Sequence, residues 1–351
     1  MIVRVFTGKV MLRNVKEWRG GGKRIIRFLL GSLLLTGLSG CEGEKREVVI
    51  YTSVDQPFAS PLLKHISQET GISIKALYDT EAAKSVGLAN RIIAEGNHSR
   101  ADLFWSSENL RCIQLERRGL ILLQPDQTVK NPGWVSKKRG CFSVGGRYRV
   151  FVVNTREMNR SEYPGNLWEM TNPKYRGKIA ISNPFFGTTA DHFAALYLRW
   201  GEEKYITFLK GLKKNRIALL GGNSVVAREV GRGRYLFGLV DSDDVLAARR
   251  QGFPVRSLYY GQREGEQGVF FLYGTVGILK QSSHQKASRE VFDILRSPET
   301  EKELIRMGAV QVSVLNRQKR GKLSPRYWRV SPEAAEAALR RSSELIRSYL
   351  E

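Results

Sequence analysis

The sequence predicts an α/β protein with two lobes, each built on a doubly wound parallel sheet. Short apolar segments rich in β-branched residues alternate with segments of helical spacing, and the order β-α-β repeats. This alternation runs through two long stretches, one on each side of residue 148. The 351 residues are 42% hydrophobic and 26% charged, so the chain has enough apolar side chains for one or two full cores.

The first stretch contains three strand signals and three helix signals. Gly71 and Gly119 follow the last periodic residue of two of the helices, where a left-handed residue commonly ends a helix. The predicted strands are 48–51, 72–77 and 101–105, and the predicted helices are 58–70, 81–95 and 109–118.

The second stretch continues the alternation and ends in helices. Strands are predicted at 148–153, 179–181, 217–220 and 236–240, and helices at 191–200, 204–213 and 224–230. A long strand-like run at 269–279 precedes helices at 289–295 and 301–307. Residues 332–350 have the charged, amphipathic pattern of a terminal helix.

The first 40 residues have the features of an export signal. Eight basic residues and one acidic residue precede an apolar run of 11 residues from Phe28 to Leu38. A spanning helix needs about 20 apolar residues, so this run is typical of a secretory signal peptide. Leu38-Ser39-Gly40-Cys41 resembles the lipobox of bacterial lipoproteins, which implies cleavage before Cys41 and acylation of its thiol. The alternative is a chance cysteine after a signal, and Met1 and Met11 both remain as starting residues.

The formal net charge of +23 does not by itself indicate a nucleic-acid partner. Part of it belongs to the predicted signal, and the other basic residues lack the interleaved aromatic residues of a base-stacking face. We therefore predict no nucleic-acid partner. In an oxidising compartment, Cys112 and Cys141 would either form a disulfide or remain two buried thiols.

A series of short motifs occurs in order between residues 46 and 315. They include Val48-Val49-Ile50-Tyr51-Thr52-Ser53, Ala101-Asp102-Leu103-Phe104-Trp105 and the segments 147–155, 171–179, 183–189, 222–224 and 238–244. Together, at this spacing, they resemble ABC-transporter extracellular solute-binding proteins of the ferric-iron type. The resemblance implies the type 2 periplasmic binding protein fold, in which two α/β lobes joined by two hinge strands close over a ligand.

The resemblance also implies a domain organisation. After the signal peptide of residues 1–40, lobe 1 would comprise 46–147 and 270–320, and lobe 2 would comprise 148–269. Strands 148–153 and 269–279 would cross between the lobes, and residues 321–351 would form a C-terminal helical extension.

The implied function is that of a solute receptor for an ABC uptake system. We expect an exported, periplasmic, lipid-anchored monomer that delivers ferric iron, bound with a synergistic anion, to a permease in the inner membrane. A small organic anion, such as a phosphonate or a sugar phosphate, is the alternative ligand. No nucleophile elbow, phosphate loop or zinc-spaced motif is present, so we expect neither an enzyme nor a cofactor beyond Fe³⁺ as transported ligand.

Two acidic residues of the first lobe are candidate ligands for a metal or a polar solute. Asp55 follows the first strand, and Glu108 follows the third. Ligands of such sheets bind beyond the carboxyl ends of strands. The alternatives are a helix N-cap for Asp55 and a solvated first-turn acid for Glu108.

A candidate anion site follows two strands of the second lobe. Gly187, Thr188 and Thr189 precede the predicted helix 191–200, and Asn223 and Ser224 open another helix. Free N–H groups at helix N-termini bind anions, although ordinary capping would use the same residues. His192, in the same region, either faces the cleft or lies on the surface.

The acidic segment Val240-Asp241-Ser242-Asp243-Asp244 contains the other candidate ligands. Ferric-binding relatives carry two adjacent tyrosines where Asp243 and Asp244 stand, and a histidine where Asp55 stands. Carboxylates are hard donors that suit a trivalent cation, so iron remains the leading ligand. The alternatives are an amine or polyol solute, and a solvated acidic turn that caps the next helix.

We expect Cys41→Ser to release the protein from membranes or to block its processing, because an acylated Cys41 would be the only covalent anchor. Membrane fractionation and the mass of the mature chain measure this. Unchanged fractionation together with an unchanged mass would exclude the lipoprotein interpretation.

Overall fold

The computed structural model describes residues 46–79, 86–125, 136–315 and 324–351. Residues from Arg46 to Glu351 form one compact unit with its own hydrophobic cores. The predicted signal peptide, Cys41 and the start of the predicted helix 81–95 lie outside the described residues. No helix within the described residues is both long and apolar enough to cross a membrane.

The described residues contain ten strands and ten α-helices, which alternate through most of the chain. The strands are β1 Glu47–Thr52, β2 Ser73–Tyr78, β3 Leu103–Ser106, β4 Phe142–Asn154, β5 Ile179–Ser182, β6 Ala218–Leu220, β7 Phe237–Asp241, β8 Val255–Leu258, β9 Val269–Ile278 and β10 Tyr327–Trp328. The helices are α1 Gln56–Thr70, α2 Val86–Glu95, α3 Leu110–Arg117, α4 Gly187–Trp200, α5 Glu202–Lys214, α6 Asn223–Gly231, α7 Ser242–Arg250, α8 Gln285–Leu295, α9 Pro298–Met307 and α10 Pro332–Tyr349.

The strands form two parallel groups joined through β9 and β4, in the order β2-β1-β3-β9-β4-β7-β5-β6. Within each group the strands are parallel, as helical crossovers require, whereas β9 and β4 run antiparallel to their neighbours. The predicted α/β fold with two sheets and two crossing strands is confirmed. The domain boundaries remain predictions.

Strand β4 belongs to both groups. Its first half, up to Tyr148, pairs with β9, and its second half, from Arg149, pairs with β7. A register shift lies between Val144 and Gly146. Gly145 has φ 64°, and a Cβ there would lie 2.5 Å from the side chain of Val310, so this bend requires glycine.

The apolar cores follow the two groups of strands. Val48, Ile50 and Leu103 pack with Val291 and Phe292 on one side of the cleft. The larger core, on the other side, contains the second half of β4 together with residues of α4, α5 and β7. Strands β1, β3, β5 and β7 therefore have buried apolar side chains that hold their carboxyl ends in place, whereas the outer strands β2 and β6 are only partly buried.

The C-terminal segment contacts both groups. Strand β10 pairs with the start of β9, and Leu345 and Ile346 of α10 lie in the larger core. At its other end, α10 forms an ion pair between Glu336 and Arg117, the last residue of α3. The predicted terminal helix is present, and it packs across the two halves.

A disulfide joins Cys112 in α3 to Cys141, the residue before β4. Both cysteines are fully buried. The structure therefore has the disulfide, one of the two alternatives that the sequence left open. This bond links the first turn of α3 to the start of the shared strand β4.

We expect Cys112→Ala combined with Cys141→Ala to lower the free energy of unfolding by about 3 kcal/mol. The bond closes a loop with a sequence separation of 29 residues, and opening it restores chain entropy to the unfolded state. Urea titrations with and without reductant measure this. Reductant should weaken the wild type and leave the variant unchanged; a wild type insensitive to reductant would contradict the assignment.

Candidate functional site

The site lies where the carboxyl ends of strands from both groups meet and several helices begin. Helices α3, α4, α6 and α7 start directly after β3, β5, β6 and β7. Their free N–H groups and positive dipole ends favour negative charge at this edge. A sheet edge of this kind is the usual ligand edge of open α/β sheets.

Asp241, the last residue of β7, lies between two buried arginines of β4. Its Oδ1 accepts a hydrogen bond from Arg149 Nη1 at 2.8 Å, and its Oδ2 accepts one from Arg147 Nε at 3.2 Å. Arg149 is directly opposite Asp241 in the antiparallel register, and alternate residues of a strand share a face. The β4–β7 pairing therefore builds this charge cluster.

The same carboxylate organises the polar side chains of α4 and α6. Thr188 Oγ1 donates to Asp241 Oδ2 at 2.7 Å, and Asn223 Nδ2 donates to Thr188 Oγ1 at 3.0 Å. Arg149 in turn donates to Thr189 Oγ1 at 3.1 Å and to Asn223 Oδ1 at 3.2 Å. These side chains, which the sequence predicts to bind an external anion, hold the carboxylate of Asp241 in this structure.

The ionisation states follow from these contacts. Burial alone would raise the pKa of Asp241, but Arg149 and Arg147 outweigh it and hold that pKa below its ordinary value. Burial would lower the pKa of Arg147, but Asp243, Asp241, Asp244 and Asp55 raise it. Asp241 and Arg147 are therefore both charged at neutral pH.

Asp243 and Asp244 lie in the first turn of α7, which the sequence did not predict as a helix. Both are 7% exposed, so the solvated acidic turn considered as an alternative is wrong. One carboxylate oxygen of each lies within 4.8 Å of one of Asp241. Asp243 also lies 3.6 Å from Arg147 Nε.

Asp55 stands at the N-terminus of α1 and faces the same arginine. Its side chain makes no capping hydrogen bond to the helix, although its backbone carbonyl accepts from Phe58 N at 2.9 Å. Asp55 also raises the pKa of Arg147, after Asp243, Asp241 and Asp244. The structure thus brings together three of the five predicted acidic ligands, Asp241, Asp243 and Asp244, and places Asp55 near enough to act on the same arginine.

Glu108 has a different environment from the other four acids. It is 1% exposed, and its carboxylate accepts hydrogen bonds from Leu110 N and Ser106 Oγ. Burial raises its pKa despite these donors and Arg111. Glu108 therefore caps the start of α3, the alternative of a solvated first-turn acid is wrong, and a role as ligand stays a prediction.

A cavity of about 20 Å³ adjoins the charge cluster. Residues at two helix N-termini line it, namely Gly187 and Thr188 of α4, and Asn223 of α6 with Gly222 just before it. Arg147 reaches it from β4, and the Nη2 of Arg147 donates to Ser107 O at 2.6 Å. Gly187 is the first residue of α4, so that helix begins four residues earlier than predicted. Ser224, the second residue of α6, does not line the cavity.

The sequence predicts that His192 either faces the cleft or lies on the surface, and the structure shows neither position. It is fully enclosed, and its ring stacks on Phe270 of β9, with centroids 5.0 Å apart. Burial and Arg149 lower its pKa well below the ordinary value, although Asp241 opposes them. Its neighbour Asp191 is also buried, and burial, Glu108 and Asp241 raise its pKa well above the ordinary value.

Arg147 and Arg149 are site residues that the sequence reasoning missed. The available signal was a pair of arginines two positions apart inside the apolar segment Val144 to Val153. Two charges on one face of a buried strand require partners, which are here Asp241 and Asp243.

Comparisons with known proteins agree with this architecture. The family model of the bacterial extracellular solute-binding protein matches residues 47–309. The major ferric iron-binding protein of Neisseria meningitidis is 25% identical over 288 residues, covering 80% of this chain and 84% of that protein. The Fe(3+)-binding periplasmic protein of Serratia marcescens is 22% identical, covering 75% of this chain and 78% of that protein.

Two solved structures share the fold. Iron-bound HitA from Pseudomonas aeruginosa superposes with a TM-score of 0.74 at 20% identity, covering 86% of this chain and 99% of that chain. The ferric binding protein from Campylobacter jejuni has a TM-score of 0.75 at 16% identity, with the same coverage of 86% and 99%.

We expect His192→Phe to weaken the acid sensitivity of the fold. The pKa of His192 is depressed in the folded state, so below about pH 6.5 the unfolded chain takes up a proton that the folded chain refuses. His192 should therefore lower the free energy of unfolding of the wild type by about 1.4 kcal/mol for each unit that the pH falls, and the variant should lack this contribution. Urea unfolding between about pH 7 and pH 5 measures it.

His98→Gln is the matched control, because His98 is exposed and should leave the slope unchanged. Equal slopes in the wild type and the His192 variant would show that His192 takes up its proton in the folded state.

Proposed function

Because the chain belongs to the bacterial extracellular solute-binding protein family, we propose that it is the periplasmic receptor of an ABC uptake transporter for ferric iron. The protein binds the iron together with a small anion in the cleft and delivers it to a membrane permease. It acts as a monomer, held at the membrane by a lipid on Cys41, and performs no catalysis. Curated relatives with names that specify ferric iron support this ligand over an organic anion.

The observation that carries the proposal is the excess of carboxylates in the charge cluster, where Asp241, Asp243 and Asp244 are buried and Asp55 is half-buried. Asp55, Asp241, Asp243 and Asp244 act on Arg147, and Arg149 pairs with Asp241. These six groups carry two more negative charges than positive ones. A buried excess of negative charge is costly unless a cation compensates it, and carboxylate oxygens are the donors that a hard trivalent cation prefers.

The geometry divides the work between the carboxylates. Asp241 is engaged by both arginines and by Thr188, so it serves to position the others. Asp243 and Asp244, side by side in the first turn of α7, are the ligands we assign to iron, with Asp55 approaching from the other lobe. This set replaces the phenolates of ferric-binding relatives with harder, smaller donors.

The anion would occupy the cavity beside these ligands. The first residues of α4 and α6 and Arg147 line it, and helix N-termini favour anions. An anion in this position would complete the coordination of iron and offset the charge of Arg147. Since the ligands come from both lobes, binding favours the closed form through its higher affinity for the complete site.

We expect Asp243→Asn combined with Asp244→Asn to abolish iron binding. The amides lack negative charge and are poor donors to a trivalent cation, whereas an organic ligand would lose only about 1 kcal/mol per hydrogen bond. The measurement is iron bound per chain after exposure to a ferric chelate with phosphate or carbonate. Circular dichroism and a melting curve verify that the variant folds.

Glu264→Gln combined with Glu299→Gln is the matched control, because it removes two exposed carboxylates far from the cluster in sequence. This control should bind iron as the wild type does. A wild-type protein that takes up no iron under these conditions would overturn the iron proposal and leave a phosphonate or sugar phosphate as the ligand.

A further inference from the structure

Four loops meet at the edge of the second parallel group that lies opposite the candidate site. Strands β5, β6 and β7 begin at this edge, and β4, which is antiparallel to β7, ends there. The loops, counted together with the last residues of α5 and α6 that lead into two of them, are residues 155–157, 169–178, 213–217 and 229–236. We call the surface that they form the basic face.

The basic face concentrates positive charge. Its loops contain nine basic residues and three acidic ones. Six of the basic side chains come from two adjacent turns, and all six are exposed: Lys174, Arg176, Lys178, Lys213, Lys214 and Arg216. Arg156, Arg232 and Arg234 extend the face on the side of β4 and β7.

Backbone hydrogen bonds join these loops into one surface. Gly177 N donates to Asn215 O at 2.9 Å, which joins the two turns. Leu236 N donates to Lys178 O at 2.8 Å, and Asn154 N donates to Leu236 O at 3.0 Å. The charges are therefore presented together on a fixed framework.

The acidic residues of these loops leave most of the charge uncompensated. Glu229 pairs with Arg232 and Arg234, and Glu169 lies 3.5 Å from Lys174. In the part of the chain that the structure describes, Arg176, Lys178, Lys213, Lys214 and Arg216 form no ion pair. Their side chains point an excess of positive charge at solvent.

The arrangement of charge on the basic face indicates the kind of partner that it binds. The charges stand on turns and not in a groove, and Tyr175, between Lys174 and Arg176, is buried and so presents no ring for stacking on a base. A flat partner with spread negative charge fits such a surface. The export signal predicted for residues 1–40 brings the chain to a membrane. We infer that the basic face docks electrostatically on a bilayer surface of anionic phospholipids.

The attraction should be strong at low salt and short in range. Each Lys or Arg near an anionic bilayer strengthens binding on the order of fivefold, so a cluster of this size suffices for stable association. Screening limits the effect to about 10 Å at 0.1 M salt. Because the cavity and the carboxylate cluster lie at the opposite ends of the same strands, docking leaves the site uncovered.

The test uses residues 46–351, which form a compact unit without the lipid anchor. The probes are vesicles of phosphatidylcholine, with and without about one third phosphatidylglycerol, and sedimentation measures binding. Wild type should bind only the anionic vesicles and should dissociate in about 0.5 M salt. Lys178→Gln with Lys213→Gln and Lys214→Gln should weaken binding about 100-fold.

The matched control is Lys64→Gln with Lys286→Gln and Lys302→Gln, which removes the same charge from exposed lysines of α1, α8 and α9. It should bind nearly as the wild type does. If both triple variants lose affinity equally, net charge and not this face governs binding, and the inference is wrong. Failure of the wild type to bind anionic vesicles overturns it as well, and neither result bears on iron.

Discussion

The carboxylate of Asp241 holds two buried guanidinium groups, Arg147 and Arg149, on one face of the strand that both halves share. Without that carboxylate, the fully buried Arg149 would lose its ion-pair partner and Arg147 would keep Asp243 at 3.6 Å, a cost of several kcal/mol. The contact also fixes Thr188 and Asn223, which stand at the starts of α4 and α6. One ion-paired carboxylate thus sets the positions of two helix N-termini, the arginine of the cavity and the neighbouring acids.

The network also separates two tasks that adjacent residues perform. Asp241 is neutralised by the two arginines, whereas Asp243 and Asp244 lie in the first turn of α7, whose N-terminus favours negative charge. In the function proposed above, these two carboxylates are the ones that would bind the cation. Helix α10 packs against both groups of strands, so any movement of one group relative to the other would have to be accommodated by this helix.

Much of this architecture could be predicted from the sequence, and the failures have physical causes. Strands such as β1 and helices such as α5 carry local signals and lie within a few residues of their predicted bounds. Helix α7 was missed because its polar first turn, Ser242-Asp243-Asp244, is stabilised by burial and by Arg147, which no local pattern shows. The first half of β4 was missed because Gly145 and Gly146 interrupt its apolar run.

Candidate ligands could be chosen by their position after strands, but the pairing of Arg149 with Asp241 depends on the antiparallel register of β4 and β7. The basic face likewise arises from loops far apart in sequence.

Because of the bend at Gly145, the number of residues in β4 determines how the site is assembled. Side chains of a strand alternate between faces, and the extra residue at the register shift decides which face every later residue occupies. Arg147 and Arg149 contact Asp241 only when this part of β4 has its present number of residues. A chain one residue shorter or longer between Val144 and Gly146 would turn both arginines toward the opposite side of the sheet, so insertions and deletions here are far less tolerable than substitutions. In descendants of this sequence, the length of the segment should therefore vary less than its composition.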